Sequence, residues 1–260
     1  MKPFIKYFSA AITLLLLMMG SLRLHPYYHL VKKQSMLGEE MHHSPNDTLR
    51  VAFIGDSWAA YHHDYDLHLD SLFMLQGQLT RVSSMGNVGA KSKFIYLQLY
   101  AMTKPLLQEH PDYCVVSAGI NDAVAKMGVD FYVHHYMLIL HQLIDLGIKP
   151  VILEMPEVNY RAIFGREPWT MKMRHVLSAL LTGAEMFSFN SYKTSLKDAI
   201  QKNGLRERVV YVSADLWNAG GYHDHRHLFQ PDETHLNAKG YEVLDSCIAS
   251  VIIRDIRNNQ

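Results

Sequence analysis

Residues 49–57 read Leu-Arg-Val-Ala-Phe-Ile-Gly-Asp-Ser, and this stretch decides the fold. The short apolar run 49–54 has the length of a buried strand. Gly55 permits a tight turn, and helical periodicity begins at about Ser57 and continues to residue 76. A buried strand that turns through glycine into a helix is the repeating unit of an α/β domain.

The same alternation of strand and helix repeats along the rest of the chain. Further strands are predicted at residues 79–84, 113–118, 150–153 and 209–212. Further helices are predicted at residues 94–108, 131–146, 170–203 (mainly helical) and 236–253. Because strands that alternate with helices form parallel sheets covered on both faces, we predict a three-layer α/β/α sandwich of the flavodoxin-like type. Its central sheet has five mostly parallel strands, and ligands of such folds bind beyond the carboxyl ends of the strands.

The N-terminus has the pattern of an export signal. Lys2 and Lys6 precede an apolar run at residues 7–22, and no small-x-small cleavage site follows it. The run is slightly shorter than the ~20 residues of a typical spanning helix. For residues 1–22 we favour an uncleaved membrane anchor over a cleaved signal peptide, followed by a tether at 23–48 and one domain at 49–260. The domain is therefore expected outside the cytoplasm, membrane-anchored or secreted.

Composition excludes several classes of protein. Of 260 residues, 48% are hydrophobic, which excludes a disordered chain. Lys and Arg number 25, as do Asp and Glu, so no net basic field attracts nucleic acid. The stretches His62-His63-Asp64 and His223-Asp224-His225-Arg226-His227 resemble metal ligands, but zinc needs three or four converging ligands. We predict no metal and no cofactor, and interpret residues 223–227 as a solvated or substrate-facing loop.

Polar residues at the ends of predicted strands form a candidate nucleophilic site. Ser57 lies where the first strand turns into a helix, and its backbone N–H would be free to donate, although a serine there can be an ordinary helix cap. His235 could accept the serine proton, and Asp232, three residues earlier, could orient the imidazole. Asp232 could equally cap the final helix.

Two residues are candidate donors to an oxyanion. Asn121 follows the third strand and offers a side-chain amide, although Asn-Asp pairs are also common in turns. Gly89 offers a backbone N–H to which substrate could approach closely, although it can also serve simple turn geometry.

The four blocks in this order resemble the SGNH, or GDSL-like, hydrolases over residues 49–253. They are Gly55-Asp56-Ser57, Gly86-Asn87-Val88-Gly89, Gly119-Ile120-Asn121-Asp122 and Pro231-Asp232-Glu233-Thr234-His235. The resemblance implies a nucleophilic Ser57, an oxyanion hole formed by Ser57, Gly89 and Asn121, and a triad completed by Asp232 and His235. Trp58 departs from the family, which often has Leu at that position. In the second block Gly86 competes with Gly89, and we prefer Gly89 because the family's glycine is usually followed closely by a small hydroxyl residue, here Ser92.

The resemblance implies ester hydrolysis, and the sequence adds hypotheses about the substrate. Three residues are candidates for substrate binding: Trp58, and Arg161 and Trp169 in the predicted loop 159–169. The export-type N-terminus and the aromatic and arginine residues of loop 159–169 suit a glycan, so we expect an acylated carbohydrate or another small ester. Because no segment indicates a long apolar acyl channel, we expect acetyl as the acyl group. The alternatives are an acyltransferase that modifies an envelope polysaccharide, a lipase or thioesterase of the same family, and a non-catalytic glycan-binding protein.

Overall fold

The computed structural model describes residues 2–23, 25–34, 48–99 and 109–259. The strands are β1 (Leu49–Gly55), β2 (Thr80–Gly86), β3 (Tyr113–Ser117), β4 (Lys149–Leu153) and β5 (Val210–Val212). The described helices are α1 (Lys2–Arg23), α2 (Ser57–His62), α3 (Asp66–Leu75), α4 (Ser92–Gln98), α5 (Ile120–Val124), α6 (Val129–Asp145), α7 (Tyr160–Arg166), α8 (Trp169–Thr182), α9 (Asn190–Lys202), α10 (Tyr222–His225) and α11 (Ala238–Asn258).

The sheet is parallel throughout, with the strand order β2-β1-β3-β4-β5. This arrangement confirms the predicted five-stranded sheet and three-layer sandwich. Strand β1 lies between β2 and β3, and its buried apolar residues pack in a core that continues into the helices. In register, Gly55 of β1 lies beside Gly86 of β2 and Ser117 of β3. The carboxyl ends of three adjacent strands therefore meet at one edge.

Two segments differ from the sequence prediction. The predicted helix 57–76 is divided into α2 and α3 by a 3₁₀ turn at His63–Tyr65. The predicted loop 159–169 contains α7, because the Asn159 side chain accepts the Ala162 N–H at 3.1 Å and caps the helix. Residues 100–108 of the predicted helix 94–108 lie outside the described residues.

Residues 25–34, which we call the strap, pack against the domain and do not form a free tether. Lys93 Nζ donates to the carbonyl oxygens of Pro26 and His29 at 2.7 and 2.8 Å. Tyr28 Oη lies 2.8 Å from Ser178 Oγ on α8. The prediction of a tether at 23–48 did not include these contacts, because the partners of the strap are far away in sequence and leave no local pattern. Residues 35–47 of the predicted tether lie outside the described residues.

Helix α1 covers the segment predicted as a membrane anchor or signal peptide. It runs from Lys2 to Arg23, and many of its apolar side chains are exposed. Among the helices that the structure describes, none combines the length and the apolar character needed to cross a membrane.

A buried ionic network joins α2, α3 and α11. His62, which is fully buried, lies 2.7 Å from Asp245 through Nε2 and 3.2 Å from Asp66 through Nδ1. His68 Nδ1 contacts the second oxygen of Asp245 at 2.7 Å. Burial acts to lower the pKa of His62, but the two carboxylates outweigh it and the pKa is raised. The network fixes the helix that begins with Ser57 against the helix that follows His235.

Replacement of Asp245 should be strongly destabilising. Asp245→Ala leaves His62 buried without one of its carboxylates, and breaking such a pair costs about 3–5 kcal/mol. Urea unfolding of the full chain measures the change. Glu242→Ala on the same helix is the control, because Glu242 forms a surface pair with Lys239 worth at most about 1 kcal/mol. Equal losses in the two variants would contradict a structural role for the network.

Candidate active site

The position of Ser57 is set by a close contact between the ends of β1 and β3. A Cβ atom at Gly55 would overlap the carbonyl oxygen of Ser117, and the φ of Gly55 is +151°. The Asp56 N–H donates to the same carbonyl at 3.1 Å, and Ser117 Oγ donates to Asp56 Oδ1 at 2.9 Å. Asp56 Oδ1 also accepts the Trp58 N–H at 3.1 Å. Ser57 is consequently held as the first residue of α2.

Asp56 has a positioning role that the sequence analysis missed. Its side chain is the N-cap of α2 and is fully buried. Burial raises the pKa of Asp56 to about 6, although the hydrogen bonds from Trp58 and Ser117 act to lower it. The signal was present in the sequence, since an aspartate directly before a predicted helix is a preferred N-cap.

Ser57, His235 and Asp232 form one hydrogen-bonded chain. His235 Nε2 lies 2.9 Å from Ser57 Oγ, and His235 Nδ1 lies 2.5 Å from Asp232 Oδ2. Asp232 Oδ1 accepts the backbone N–H groups of Thr234 and His235, both at 2.9 Å. Burial acts to raise the pKa of Asp232, but these hydrogen bonds outweigh it and lower the pKa below its ordinary value. An ionised Asp232 can hold the Nδ1 proton, which leaves Nε2 to accept the proton of Ser57.

A tight turn brings His235 back over Asp232. Glu233 has a φ of +59°, which is uncommon for a residue other than glycine. The Glu233 N–H donates to the Gln230 carbonyl at 2.9 Å, and the Gln230 N–H donates to the His235 carbonyl at 2.7 Å. The strained backbone at Glu233 is therefore held by hydrogen bonds on both sides of the turn.

Side chains from α7 and its cap fix this turn from outside. Arg166 donates to the Pro231 carbonyl at 3.3 Å and also to the Asp232 carbonyl. Asn159 Nδ2 donates to Glu233 Oε2 at 3.0 Å. The sequence analysis selected Arg161 from this stretch as a candidate for substrate binding, because nothing local tells which arginine reaches the turn.

The predicted oxyanion donors lie close together: Gly89 is in the loop between β2 and α4, and Asn121 is in α5. Asn121 Nδ2 donates to the carbonyl of Ala90 at 3.0 Å, and its second amide hydrogen remains available by chemistry. Gly89 has a φ of +75° in the turn that precedes Ala90. Gly86 has a different role, because a Cβ there would overlap the Asp56 carbonyl oxygen. This contact leaves Gly89 as the preferred candidate.

Asp122 of α5 connects this region to α4, and the sequence analysis also missed this role. It is fully buried and accepts the Ser92 N–H at 2.9 Å and the Ser92 hydroxyl at 2.7 Å. Burial raises the pKa of Asp122 to about 6, against the lowering effect of both hydrogen bonds. The sequence analysis interpreted Asn121-Asp122 only as an oxyanion donor or a turn. Only the tertiary structure shows the partner of Asp122, thirty residues earlier.

Trp58 is not available to bind substrate, which corrects the sequence prediction. Its side chain is 1% exposed and packs beside Trp217 and Phe229, with ring centroids 5.7 and 6.5 Å away. Its position next to Ser57 suggested a pocket wall, but the helix directs the side chain into the core. The other predicted substrate residues are at the surface. Arg161 stacks on Phe187 at 4.8 Å, and Trp169 is 75% exposed on α8.

An apolar cavity of about 330 Å³ opens beside the Gly89 loop. The sequence analysis found no segment that indicates an apolar acyl channel, and it did not predict this cavity. The cavity was missed because its walls come from three separate stretches of the chain, at residues 27, 88–97 and 127–131. The lining residues are Tyr27, Val88, Gly89, Ala90, Lys91, Lys93, Phe94, Leu97, Met127 and Phe131.

The two histidine-rich stretches lie in different environments. His62 belongs to the buried network with Asp66 and Asp245, whereas His225 Nε2 contacts the Ala219 carbonyl at 2.7 Å near the surface. Across residues 2–23, 25–34, 48–99 and 109–259, no group of three or more His, Cys, Asp or Glu is arranged to hold a metal ion.

No known protein-family model and no curated protein matches this chain. Several solved structures share its fold. The psychrotrophic esterase EstA from Pseudoalteromonas sp. is 15% identical with a TM-score of 0.56, over 82% of this chain and 100% of the esterase. The acetyl xylan esterase AlAXEase is 16% identical with a TM-score of 0.54, over 80% and 100%. A lipase/acylhydrolase from Enterococcus faecalis is 18% identical with a TM-score of 0.53, over 78% and 95%.

At these identities the likeness is one of fold. The chain has the three-layer fold of the GDSL-like hydrolases, which confirms the fold that the sequence resemblance implied.

A fluorophosphonate probe should label this chain at Ser57 alone. The reason is that Nε2 of His235 can accept the serine proton as the hydroxyl attacks phosphorus. Intact-protein and peptide mass spectrometry locate the adduct. Ser57→Ala should abolish labelling, and His235→Ala should slow it about 10²–10⁴-fold. Ser246→Ala, at an exposed serine of α11, is the control and should label normally. Labelling of Ser57→Ala at the wild-type rate would contradict the nucleophile assignment.

Proposed function

We propose that this protein is a serine-dependent carboxylic ester hydrolase. The observation that carries the proposal is the continuous hydrogen-bonded chain from Ser57 Oγ through His235 to Asp232. A serine hydroxyl is a weak nucleophile until a base accepts its proton, and this arrangement supplies an oriented base. The proposal is also supported by the esterases and lipases among the proteins that share the fold.

In the first half of the reaction, Ser57 Oγ attacks the ester carbonyl carbon and His235 Nε2 takes the hydroxyl proton. Negative charge develops on the carbonyl oxygen, where Asn121 and the backbone N–H groups of Ser57 and Gly89 would donate hydrogen bonds. The carbon–oxygen bond to the alcohol then breaks, and His235 returns the proton to the departing alcohol. The acyl group remains on Ser57.

In the second half, water replaces the alcohol. His235 accepts a proton from water as the water oxygen attacks the acyl carbonyl, and the same donors stabilise the second oxyanion. The bond to Ser57 breaks, Ser57 regains its proton from His235, and the carboxylic acid leaves. If a sugar hydroxyl takes the place of water, the same residues perform acyl transfer, so the acceptor alone separates the two activities.

For the alcohol part of the substrate we propose a glycan outside the cytoplasm. The export-type N-terminus supports a large external substrate, and an acetyl xylan esterase has the same fold. We expected an acetyl group from the sequence because no segment indicated an apolar acyl site. The apolar cavity beside Gly89 removes this reason, so the acyl length is a separate question that an ester series decides.

Purified full-length protein should hydrolyse esters in a Ser57-dependent manner. On a panel of 4-nitrophenyl esters and acylated oligosaccharides, Ser57→Ala should lose roughly 10⁴-fold or more in kcat. Asn121→Ala should lose about 10²–10³-fold in kcat with little change in KM, because an oxyanion donor acts in the transition state. Release of acid is compared with acyl transfer to added sugar. Undiminished turnover by Ser57→Ala would refute the hydrolase, and faster transfer than release would favour the acyltransferase.

We further propose that the protein works at a membrane surface. Helix α1 exposes apolar side chains along its length, at Tyr7, Phe8, Ile12 and Leu14–Met18. Helix α8, which contacts α1, exposes one apolar stripe at helical spacing: Trp169, Met173, Val176 and Leu180. Exposed apolar stripes with basic neighbours, here Lys172 and Arg174, are typical of helices that lie in a lipid interface.

Trp169 should enter the lipid interface when the full-length protein binds vesicles. Of the three tryptophans, Trp58 and Trp217 are buried, so fluorescence quenching by brominated phospholipid reports on Trp169. Quenching should occur in the wild type and disappear in Trp169→Phe. Deletion of residues 1–22 should weaken vesicle binding. A wild-type protein that floats with vesicles but shows no quenching would exclude α8 from the membrane contact, and a mature chain lacking residues 1–22 would show cleavage.

A further inference from the structure

The apolar cavity shares its wall with the loop that carries a predicted oxyanion donor. Gly89 and Ala90 line the cavity, and the carbonyl of Ala90 accepts the amide of Asn121. The deeper wall is formed by Met127 and Phe131, which are buried. If the carbonyl group of an ester lies beside these donors, the substituent on its carbonyl carbon can therefore extend into the apolar cavity.

The chemistry of ester cleavage assigns this space to one side of the ester. His235 must return a proton to the departing alcohol, so the alcohol oxygen lies beside His235 during cleavage. The acyl chain stays on Ser57 and extends from the carbonyl carbon in another direction. The cavity wall includes the Gly89 loop, which carries a predicted oxyanion donor, and does not include His235, beside which the alcohol leaves. This arrangement favours the acyl chain over the leaving alcohol as the occupant of the cavity.

One wall of the cavity comes from the strap. Tyr27 lines the cavity, with the Lys91 ammonium 5.3 Å and the Arg174 guanidinium 5.4 Å from its ring centroid. The Tyr27 ring also meets Tyr28 edge to face at 5.1 Å. Contacts of cations with an aromatic face are attractive, so the ring is held from α8 and from the Gly89 loop together.

The rest of the strap is fixed by two histidines of α6. His134 Nε2 lies 2.7 Å from the Val31 carbonyl, and the Val31 N–H donates to His135 Nε2 at 3.3 Å. His135 Nδ1 lies 2.7 Å from the Phe131 carbonyl and so carries the ring proton, which leaves Nε2 free to accept. Burial lowers the pKa of His135 to about 4, so the ring is neutral near pH 7, as this pairing requires. The strap is a built part of the domain.

We propose that the cavity binds the acyl chain of the ester and that Tyr27, supplied by the strap, forms a wall against which that chain packs. The inference rests on the proposed ester hydrolase and specifies its acyl group as a medium-length aliphatic chain. Apolar side chains from three stretches of the chain surround a space that an acetyl group would leave largely empty.

Isomeric esters separate the acyl side from the alcohol side. Ethyl hexanoate and hexyl acetate contain the same atoms, and only the first places the aliphatic chain on the carbonyl carbon. We expect kcat/KM to be at least tenfold higher for ethyl hexanoate. Along the 4-nitrophenyl series from acetate to octanoate, kcat/KM should rise by up to roughly fourfold per methylene, the effect of burying one CH₂. Preference for hexyl acetate, or a fall from acetate to octanoate, would overturn the proposal.

Variants of the cavity wall test the role of the strap. Tyr27→Ala should lower kcat/KM for octanoate at least tenfold and leave acetate within twofold, and Tyr27→Phe should retain the wild-type profile. Val88→Trp, at an exposed position on the rim, should exclude octanoate but admit acetate. A second pair of variants compares Leu97→Ala, in the cavity wall, with Leu67→Ala. Leu67 is an exposed leucine outside the cavity, so its replacement should change kcat/KM for neither substrate. Equal loss on acetate and octanoate in Tyr27→Ala would reduce Tyr27 to a structural residue.

A binding measurement distinguishes failure of this inference from failure of the proposed function. In Ser57→Ala, calorimetry should detect binding of octanoate but not of acetate, and the added Tyr27→Ala should abolish it. If octanoate binds in this way but no ester is cleaved by the wild type, the cavity assignment holds and the hydrolase is refuted. If esters are cleaved but octanoate does not bind, the hydrolase holds and the cavity assignment is wrong.

Discussion

The site depends on the close approach of β1 and β3 at their carboxyl ends. The Ser117 carbonyl occupies the space of a side chain at position 55 and also accepts the Asp56 N–H. Only glycine fits there, and the resulting turn makes Asp56 the cap of α2 and Ser57 its first residue. A serine in that position has a fixed direction before any substrate arrives. The other candidate site residues are then arranged around Ser57, whose position the sheet defines.

His235, the candidate base, is placed beside Ser57 by contacts between distant parts of the chain. His235 lies 178 residues after Ser57, and its turn is strained at Glu233. Helix α11 follows directly and is tied to α2, because Tyr241 Oη donates to the Trp58 carbonyl at 3.1 Å and Asp245 pairs with His62. The buried ionic network thus holds α2, which begins with Ser57, against α11, which follows His235.

The strap gives the N-terminal segment two connections. Its start follows α1, whose apolar side chains are exposed, and its Tyr27 forms one wall of the cavity beside the Gly89 loop. Lys93 binds two strap carbonyls and also contributes to the cavity, so the strap and the cavity wall share residues. An exposed apolar helix and an apolar cavity are therefore connected by ten residues that pack on the domain.

The sequence by itself determined the order of strands and helices, the parallel sheet and the candidate residues Ser57, Asp232 and His235. These follow from hydrophobic periodicity, from turn glycines and from short motifs, which are local properties of a chain. It did not determine that Trp58 points into the core, that Arg166 rather than Arg161 reaches the turn, or that Asp122 holds Ser92. The docking of the strap, the ionic network around His62 and the apolar cavity were equally hidden. Each of these depends on side chains far apart in sequence, whose proximity only the packing of the helices on the sheet decides.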